Sequence, residues 1–499
     1  MGGPRVETVQ GTVEGTSLPG YERFLGIPYA QAPVGPLRFR APEPPLAHRG
    51  TFTADTYGPH APQPFSTMEH FLSEGAPIVS SEAECLRLNV WTPHCDGAQR
   101  PVMVWIHGGA FVAGSGTTPW YDGERFAVDH DLVVVSLNYR LGVLGFTYLG
   151  DVIGPELRGS GSLGVQDAVG ALRWVRENIA HFGGDPNNVT IFGESAGAMS
   201  VGTLLAMPEA RGLFHKAILQ SGAANSVRST DTATRHTKEL TSLLKLDHVD
   251  LDVLQELPVA SLIDAHQALS AAHAREGLIS APVVDGSVLD RPPLEAVAQG
   301  AASDVPLLIG TNRDEWRLFA LFDPVFMATD EKRLASTLQA LLAERATGAI
   351  ETYRQRLGDV PPALILASAM SDSIFRVPAI RLAEAQQRAG GSAWMYLFTW
   401  AVPEAKNALG SCHALELPFV FNTLDKPAAE LFVGHDASSE LARDLNATWA
   451  AFARYGDPGR GALGEWPSYD PIDRKTMIID VESRVQSDPL GDERALWPE

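Results

Sequence analysis

The stretch Val189-Thr-Ile-Phe-Gly-Glu-Ser195-Ala-Gly-Ala-Met199 decides how this chain is read. An apolar, β-branched run ends at Gly193 and Glu194, and Ala196, Gly197 and Ala198 then open a segment of good helix formers. That is a strand, a sharp turn and a helix, with a serine at the apex. Such a turn is strained, and glycine two residues to either side lets the strand and helix approach closely. The strain lifts the serine Oγ above the sheet, where a base and a substrate can both reach it.

Similar strand-like runs recur on both sides of this turn, at Val102–Ile106, Leu132–Leu137, Ala217–Leu219, Pro306–Ile309, Trp394–Thr399 and Thr476–Ile479. Several are continuous rather than alternating, as in strands covered on both faces. Helical periodicity separates many of them. In Asp167–Ile179, for example, Ala168, Ala171, Leu172, Val175 and Ile179 share one face. Strands alternating with helices predict an α/β fold, with a large, mostly parallel central sheet flanked by helices. Arg23–Ile27 is expected to add an antiparallel strand at one edge. Residues about 225–280 and 325–390 read as helical excursions over the active site, and nothing resembles a long linker. A single domain over residues 1–499 is expected.

Composition narrows the partners. The 499 residues carry 39 basic and 60 acidic side chains, a formal charge of −21. That disfavours nucleic acid and anionic membrane as partners and gives no steering to an anionic substrate. Hydrophobic residues make up 45% and charged residues 20%, as in an ordinary globular protein. The first residues show no basic stretch followed by an apolar one, and no run approaches the ~18 apolar residues of a membrane span. Met1-Gly2 lacks the Ser or Thr that myristoylation needs at position 6, which is Val6. Three cysteines, Cys85, Cys95 and Cys412, suit a reducing compartment. A cytoplasmic protein is expected, although a mature secreted one would begin in a similar way.

A serine hydroxyl needs a base, and the base needs an acceptor that fixes its tautomer. In α/β-hydrolases these follow in the order nucleophile, acid, histidine. Seven of the 14 histidines follow Ser195. The clearest later strand, Val305-Pro-Leu-Leu-Ile-Gly310, runs into Thr-Asn-Arg-Asp-Glu315, and only His413 and His435 lie beyond it. His435 sits in a polar loop. His413 follows a glycine-led turn directly before an apolar segment, so it is the candidate base. Asp314 and Glu315 are adjacent and spacing does not choose between them. The backbone N–H of Ala196, at the start of a helix, is one candidate donor to a developing oxyanion. The turn His107-Gly-Gly-Ala110, after the strand Val102–Ile106, is expected to supply the others. His107 itself precedes the nucleophile and is expected to pack behind the loop.

Taken together, these motifs resemble the carboxylesterase/cholinesterase family, the type-B carboxylesterases, in the form found in bacteria. Gly-Glu-Ser-Ala-Gly is similar to that family's nucleophile turn. Gly26–Ala30, Pro33–Phe39, Cys85–Pro93, Trp105–Phe111, Asn138–Gly142, Phe182–Pro186, Leu213–Gly222, Pro282–Gly286, Gly310–Glu315 and Cys412–Phe419 follow in family order. The resemblance implies an α/β-hydrolase fold and a triad of Ser195, Glu315 and His413. It implies oxyanion donors at Gly109 and Ala110 beside Ala196, and a Ser221 that supports the Glu315 carboxylate. It also implies an ion pair between Arg140 and Asp167, and a variable loop over the entrance between His60 and Ser80. One segment departs from the family: Ser81-Glu-Ala-Glu-Cys85 puts Ala83 where the partner of Arg38 normally sits, leaving Glu82 or Glu84 for that role. Cys85 has no upstream cysteine to pair with, so free thiols are expected.

The expected reaction is hydrolysis of small-molecule carboxylic esters with short to medium acyl chains, through an acyl-enzyme on Ser195, without metal or cofactor. Amide or carbamate hydrolysis by the same triad, and a non-catalytic adhesion-type role, are the alternatives. Phe111, Phe319, Phe322 and Phe375 are candidates to wall an apolar pocket. A monomer or small homo-oligomer is expected.

Overall fold

Each of the seven apolar runs becomes a strand in the computed structural model, which describes residues 2–246, 248–402 and 408–498. The chain gathers into two compact units. One comprises Met1–Ile218 with Ala224–Ala302, the other Leu219–Ala223 with Ser303–Glu499.

In the first unit, Arg100–Ile106 lies between Val133–Leu137 and Gly184–Glu194 and is parallel to both. Every residue of Arg100–Ile106 and of Val133–Leu137 is buried, which explains why these runs do not alternate. The next strand out, Arg87–Thr92, turns antiparallel, followed by Tyr21–Pro28 and Thr16–Leu18. Thus Arg23–Ile27 does form an antiparallel edge. Arg87–Thr92 was not apparent as a strand because its Asn89 interrupts the apolar pattern. The Asn89 amide is buried and bridges two elements, accepting from the Gly26 N–H at 2.9 Å and donating to Ser136 Oγ at 3.0 Å. The helix Leu163–Asn178 buries Ala168, Ala171, Leu172 and Val175 along the anticipated face, with Ile179 just beyond it.

The second unit stacks Leu307–Asn312, Ala393–Phe398 and Lys475–Ile479 in parallel, closed by the antiparallel strand Arg484–Ser487. The strand Lys216–Gln220 begins in the first unit and ends in the second. The sheet is therefore mixed, with a parallel centre and antiparallel edges, flanked by helices.

Both excursions are helical. The first holds Thr230–Leu243, Leu251–Glu256 and Val259–Ala272, with one short strand, Arg228–Ser229, paired to Val283–Val284. The second holds Glu331–Leu342, Ala346–Leu357 and Pro362–Ser371, and a wide π turn then leads into Val377–Arg388. Residues 362–388 are long and apolar enough to cross a membrane by length and composition, but 72% of the window is buried inside the protein. Ile365, Leu366, Ala367 and Ala369 pack there against Leu334, Leu338 and Tyr353. The apolar face is satisfied by the protein's own core.

Two predicted ion pairs are formed. Arg140 donates to both Asp167 oxygens at 2.6 and 2.8 Å, with both side chains buried. Arg38 grips Glu82, not Glu84, through two contacts of 2.6 Å, and a further guanidinium N–H reaches the Leu257 carbonyl. A planar fork on a carboxylate is the geometry that best offsets the desolvation of a buried pair. Cys85, Cys95 and Cys412 are free.

Candidate active site

Gly184–Glu194 delivers Ser195 at φ 54° and ψ −124°, and the helix Ala196–Leu204 starts at the next residue. For a non-glycine residue this backbone is strained, costing on the order of 1–3 kcal/mol. It persists because its neighbours leave no alternative. A Cβ on Gly193 would lie 2.6 Å from the Gly197 carbonyl carbon and 2.7 Å from the Ile106 oxygen, and one on Gly197 would collide with that same oxygen. The two glycines are thus required by close approach of strand to helix.

The loop after Arg100–Ile106 comes up against this turn. A Cβ on Gly108 would meet the Glu194 oxygens at 2.9 Å and the Ser195 Cβ at 3.2 Å. Gly109 and Ala110 follow with φ of 105° and 56°, and the Gly109 carbonyl accepts from the N–H groups of Val112 and Ala113 at 3.0 Å. His107 braces this loop from behind. Its ring is buried and stacked on Tyr139 at 4.4 Å, and Nδ1 bonds the Gly108 carbonyl at 2.7 Å. Burial pulls the His107 pKa down to about 3, so the ring stays neutral. Ala196 opens its helix, so its N–H has no intrahelical acceptor. Phe111 is wholly buried against Phe146 at 4.9 Å. Glu69, in the expected entrance segment, is also buried, and desolvation lifts its carboxyl to about 7.

The other half of the chemistry is assembled inside the second unit. Glu315 follows the strand Leu307–Asn312 and is fully buried. Its Oε2 lies 2.6 Å from His413 Nδ1, while Oε1 accepts from Ser221 Oγ at 2.5 Å and from the Asn312 N–H at 2.7 Å. The neighbouring Asp314 diverges. It bonds Arg313 at 2.8 Å and the Ser411 N–H at 3.0 Å. Burial alone would raise its carboxyl, but Arg313 and Arg317 outweigh that and hold it below the usual range. Geometry therefore chooses between the two acids where spacing could not.

Several supporting residues escaped the sequence reading. Asn312 reaches the Cys412 carbonyl at 2.7 Å and Glu416 at 2.6 Å. Glu416 in turn accepts from Gln220, which accepts from the Trp449 indole. This buried chain ties the His413 loop to two strands and a helix. A glutamate inside the apolar run Leu415-Glu-Leu-Pro-Phe419 was its available signal, because a carboxylate there must find a partner. Phe319 and Phe375 flank the His413 ring at 5.0 and 4.9 Å. Leu321, Phe322, Val325 and Met327, which follow Phe319 in sequence, are exposed.

The first unit holds a strained serine at a strand–helix turn with a glycine loop against it, and the second holds a buried carboxylate–histidine pair; each is a part that serine hydrolases of the α/β type use. Comparison with known proteins makes this specific. The carboxylesterase family model matches residues 2–497. The chain is 39% identical to the para-nitrobenzyl esterase of Bacillus subtilis (strain 168), over 98% of this chain and 97% of that protein. It is 36% identical to the phenmedipham hydrolase of Pseudarthrobacter oxydans, over 96% and 95% of the two chains. Among solved structures, a Geobacillus stearothermophilus carboxylesterase superimposes with a TM-score of 0.89 at 42% identity, covering 99% of this chain and 100% of that one. The chain belongs to the carboxylesterase family, and it is a hydrolase of carboxylic esters.

Proposed function

We propose that Ser195, His413 and Glu315 act as one triad on small, neutral esters with short to medium acyl chains. Ser195 Oγ attacks the ester carbonyl and His413 Nε2 takes its proton. The tetrahedral oxyanion receives the N–H groups of Gly109, Ala110 and Ala196, each donor contributing about 3–4 kcal/mol in such sites. His413 then protonates the departing alcohol, and water clears the acyl-enzyme by the same route.

The observation that carries this reading is the 2.6 Å contact from Glu315 to His413 Nδ1. A carboxylate there holds the proton on Nδ1 and leaves Nε2 as the basic nitrogen, as a general base requires. Ser221 is a positioning residue, since it touches Glu315 and not the reacting atoms. Phe319 and Phe375 beside His413, at 5.0 and 4.9 Å, support an apolar acyl group. Three free thiols support a cytoplasmic setting.

The test is a panel of p-nitrophenyl esters from acetate to palmitate, with wild type and Ser195→Ala. Rates should peak at the short to middle members, and Ser195→Ala should lose several orders of magnitude while remaining folded. Near wild-type activity in Ser195→Ala would end the triad reading. A maximum at palmitate that appears only once droplets form would end the acyl preference.

A further inference from the structure

We propose that His236, His273 and Glu276 form a zinc site that clamps two helices of the first excursion, independently of the hydrolytic centre. His236 lies on Thr230–Leu243, His273 caps Val259–Ala272, and Glu276 ends the short turn after it. One donor atom from each can be chosen so that all three lie within 4.8 Å of one another. His236 Nε2 is 3.2 Å from Glu276 Oε2, and His273 Nδ1 is 2.8 Å from Glu276 Oε1. Two imidazoles and a carboxylate suit Zn²⁺ better than Ca²⁺ or Mg²⁺, which favour all-oxygen sets.

A second feature sets this cluster apart from a chance meeting of charges. His273 Nε2 is 2.7 Å from the carboxylate of Glu239, one helical turn beyond His236. Histidines that ligate a metal through one nitrogen characteristically give the other N–H to a carboxylate, which fixes the tautomer and strengthens the ligand. Here that orienting partner is already in place. With Nε2 committed to Glu239, Nδ1 faces Glu276 as the ligating nitrogen. His236 is buried and lines a cavity with Tyr148 and His266, so its ring is held by packing. His273 and Glu276 are more open, which provides the route of entry. Arg235 forks onto both Glu276 oxygens, at 2.7 Å to Oε2 and 3.3 Å to Oε1, so the metal must displace one of these exposed contacts.

The experiment uses untagged full-length protein stripped with chelator, titrated with Zn²⁺ by calorimetry, and with Co²⁺ by visible absorption. The expected result is one ion per chain and the intense visible bands of four-coordinate Co²⁺. Glu239→Gln should weaken binding about 10–100-fold, as loss of an orienting partner does. His273→Asn and Glu276→Gln should abolish it. All three variants should keep the ester hydrolysis rate, which verifies folding because none lies in the hydrolytic machinery. Zn²⁺ should also raise the Tm of wild type but not of His273→Asn. Stoichiometric binding that survives in His273→Asn and Glu276→Gln would overturn the proposal, as would wild-type binding no tighter than theirs.

Discussion

Replacing Glu315 by Gln preserves shape and removes one charge, so it isolates what the carboxylate does for His413. In the acylation transition state the imidazole becomes a cation beside Glu315. With N···O at 2.6 Å, the two charge centres lie about 4 Å apart. At an effective dielectric of about 20 that attraction is about 4 kcal/mol, or roughly three orders of magnitude in rate. The amide adds a second penalty. Its NH₂ must face either His413 Nδ1 or the cradle of Ser221 Oγ and the Asn312 N–H, both of which now serve an acceptor. Placed toward the ring, it favours the tautomer with the proton on Nε2, and a histidine in that state cannot accept from Ser195. Loss of three to four orders of magnitude in kcat/KM is therefore expected, as roughly seen when a triad carboxylate is made an amide. The control is Asp314→Asn, one residue away. Asp314 holds Arg313, Arg317 and the Ser411 N–H and does not touch the histidine. Its loss should lower stability by about 1–3 kcal/mol but change kcat/KM by less than about tenfold. Steady-state kinetics on p-nitrophenyl acetate, with urea unfolding alongside, separates the two effects. The reasoning is refuted if Asp314→Asn is as slow as Glu315→Gln, or if Glu315→Gln stays within tenfold of wild type.

Ser221→Ala removes one of three bonds to Glu315 while sparing the charge, so kcat should drop about 10–100-fold with KM unchanged; an equal rise in KM would point to a disturbed binding pocket instead. Gly197→Ala puts a methyl against the backbone oxygen of Ile106, which cannot retreat without disrupting the sheet, and should cost about 3 kcal/mol in urea unfolding; wild-type stability would show that the turn has slack. Stability should also fall as pH drops. Burial pulls His107 down to about 3 and His266 to about 4, so both stay neutral in the folded state while the unfolded chain takes up protons below about 6.5. Their contribution is complete above pH 6.5 and declines below it, each losing about 2 kcal/mol by pH 5. His266→Asn should remove its share of the slope between pH 7 and pH 5, and an unchanged slope would contradict a buried neutral imidazole.

The sequence by itself determined the strand–turn–helix at Ser195, because Gly193, Gly197 and the apolar run before them permit little else locally. It determined the parallel centre of the sheet for a similar reason, since strands buried on both faces leave continuous apolar runs such as Val102–Ile106. It narrowed the histidine to His413 through the order of elements along the chain. Spacing left both adjacent acids open and the family resemblance pointed to Glu315, which the tertiary structure sets against that histidine; tertiary structure alone decided which of two glutamates meets Arg38. It also revealed Asn312, Glu416, Gln220 and Trp449 as one buried network, and the His236–His273–Glu276 cluster. The physical reason is the range of the forces involved. Turn strain and hydrophobic periodicity act between neighbours in sequence and leave their mark there. A hydrogen bond such as that from Ser221 to Glu315 joins residues 94 positions apart, and its direction exists only once both backbones are fixed.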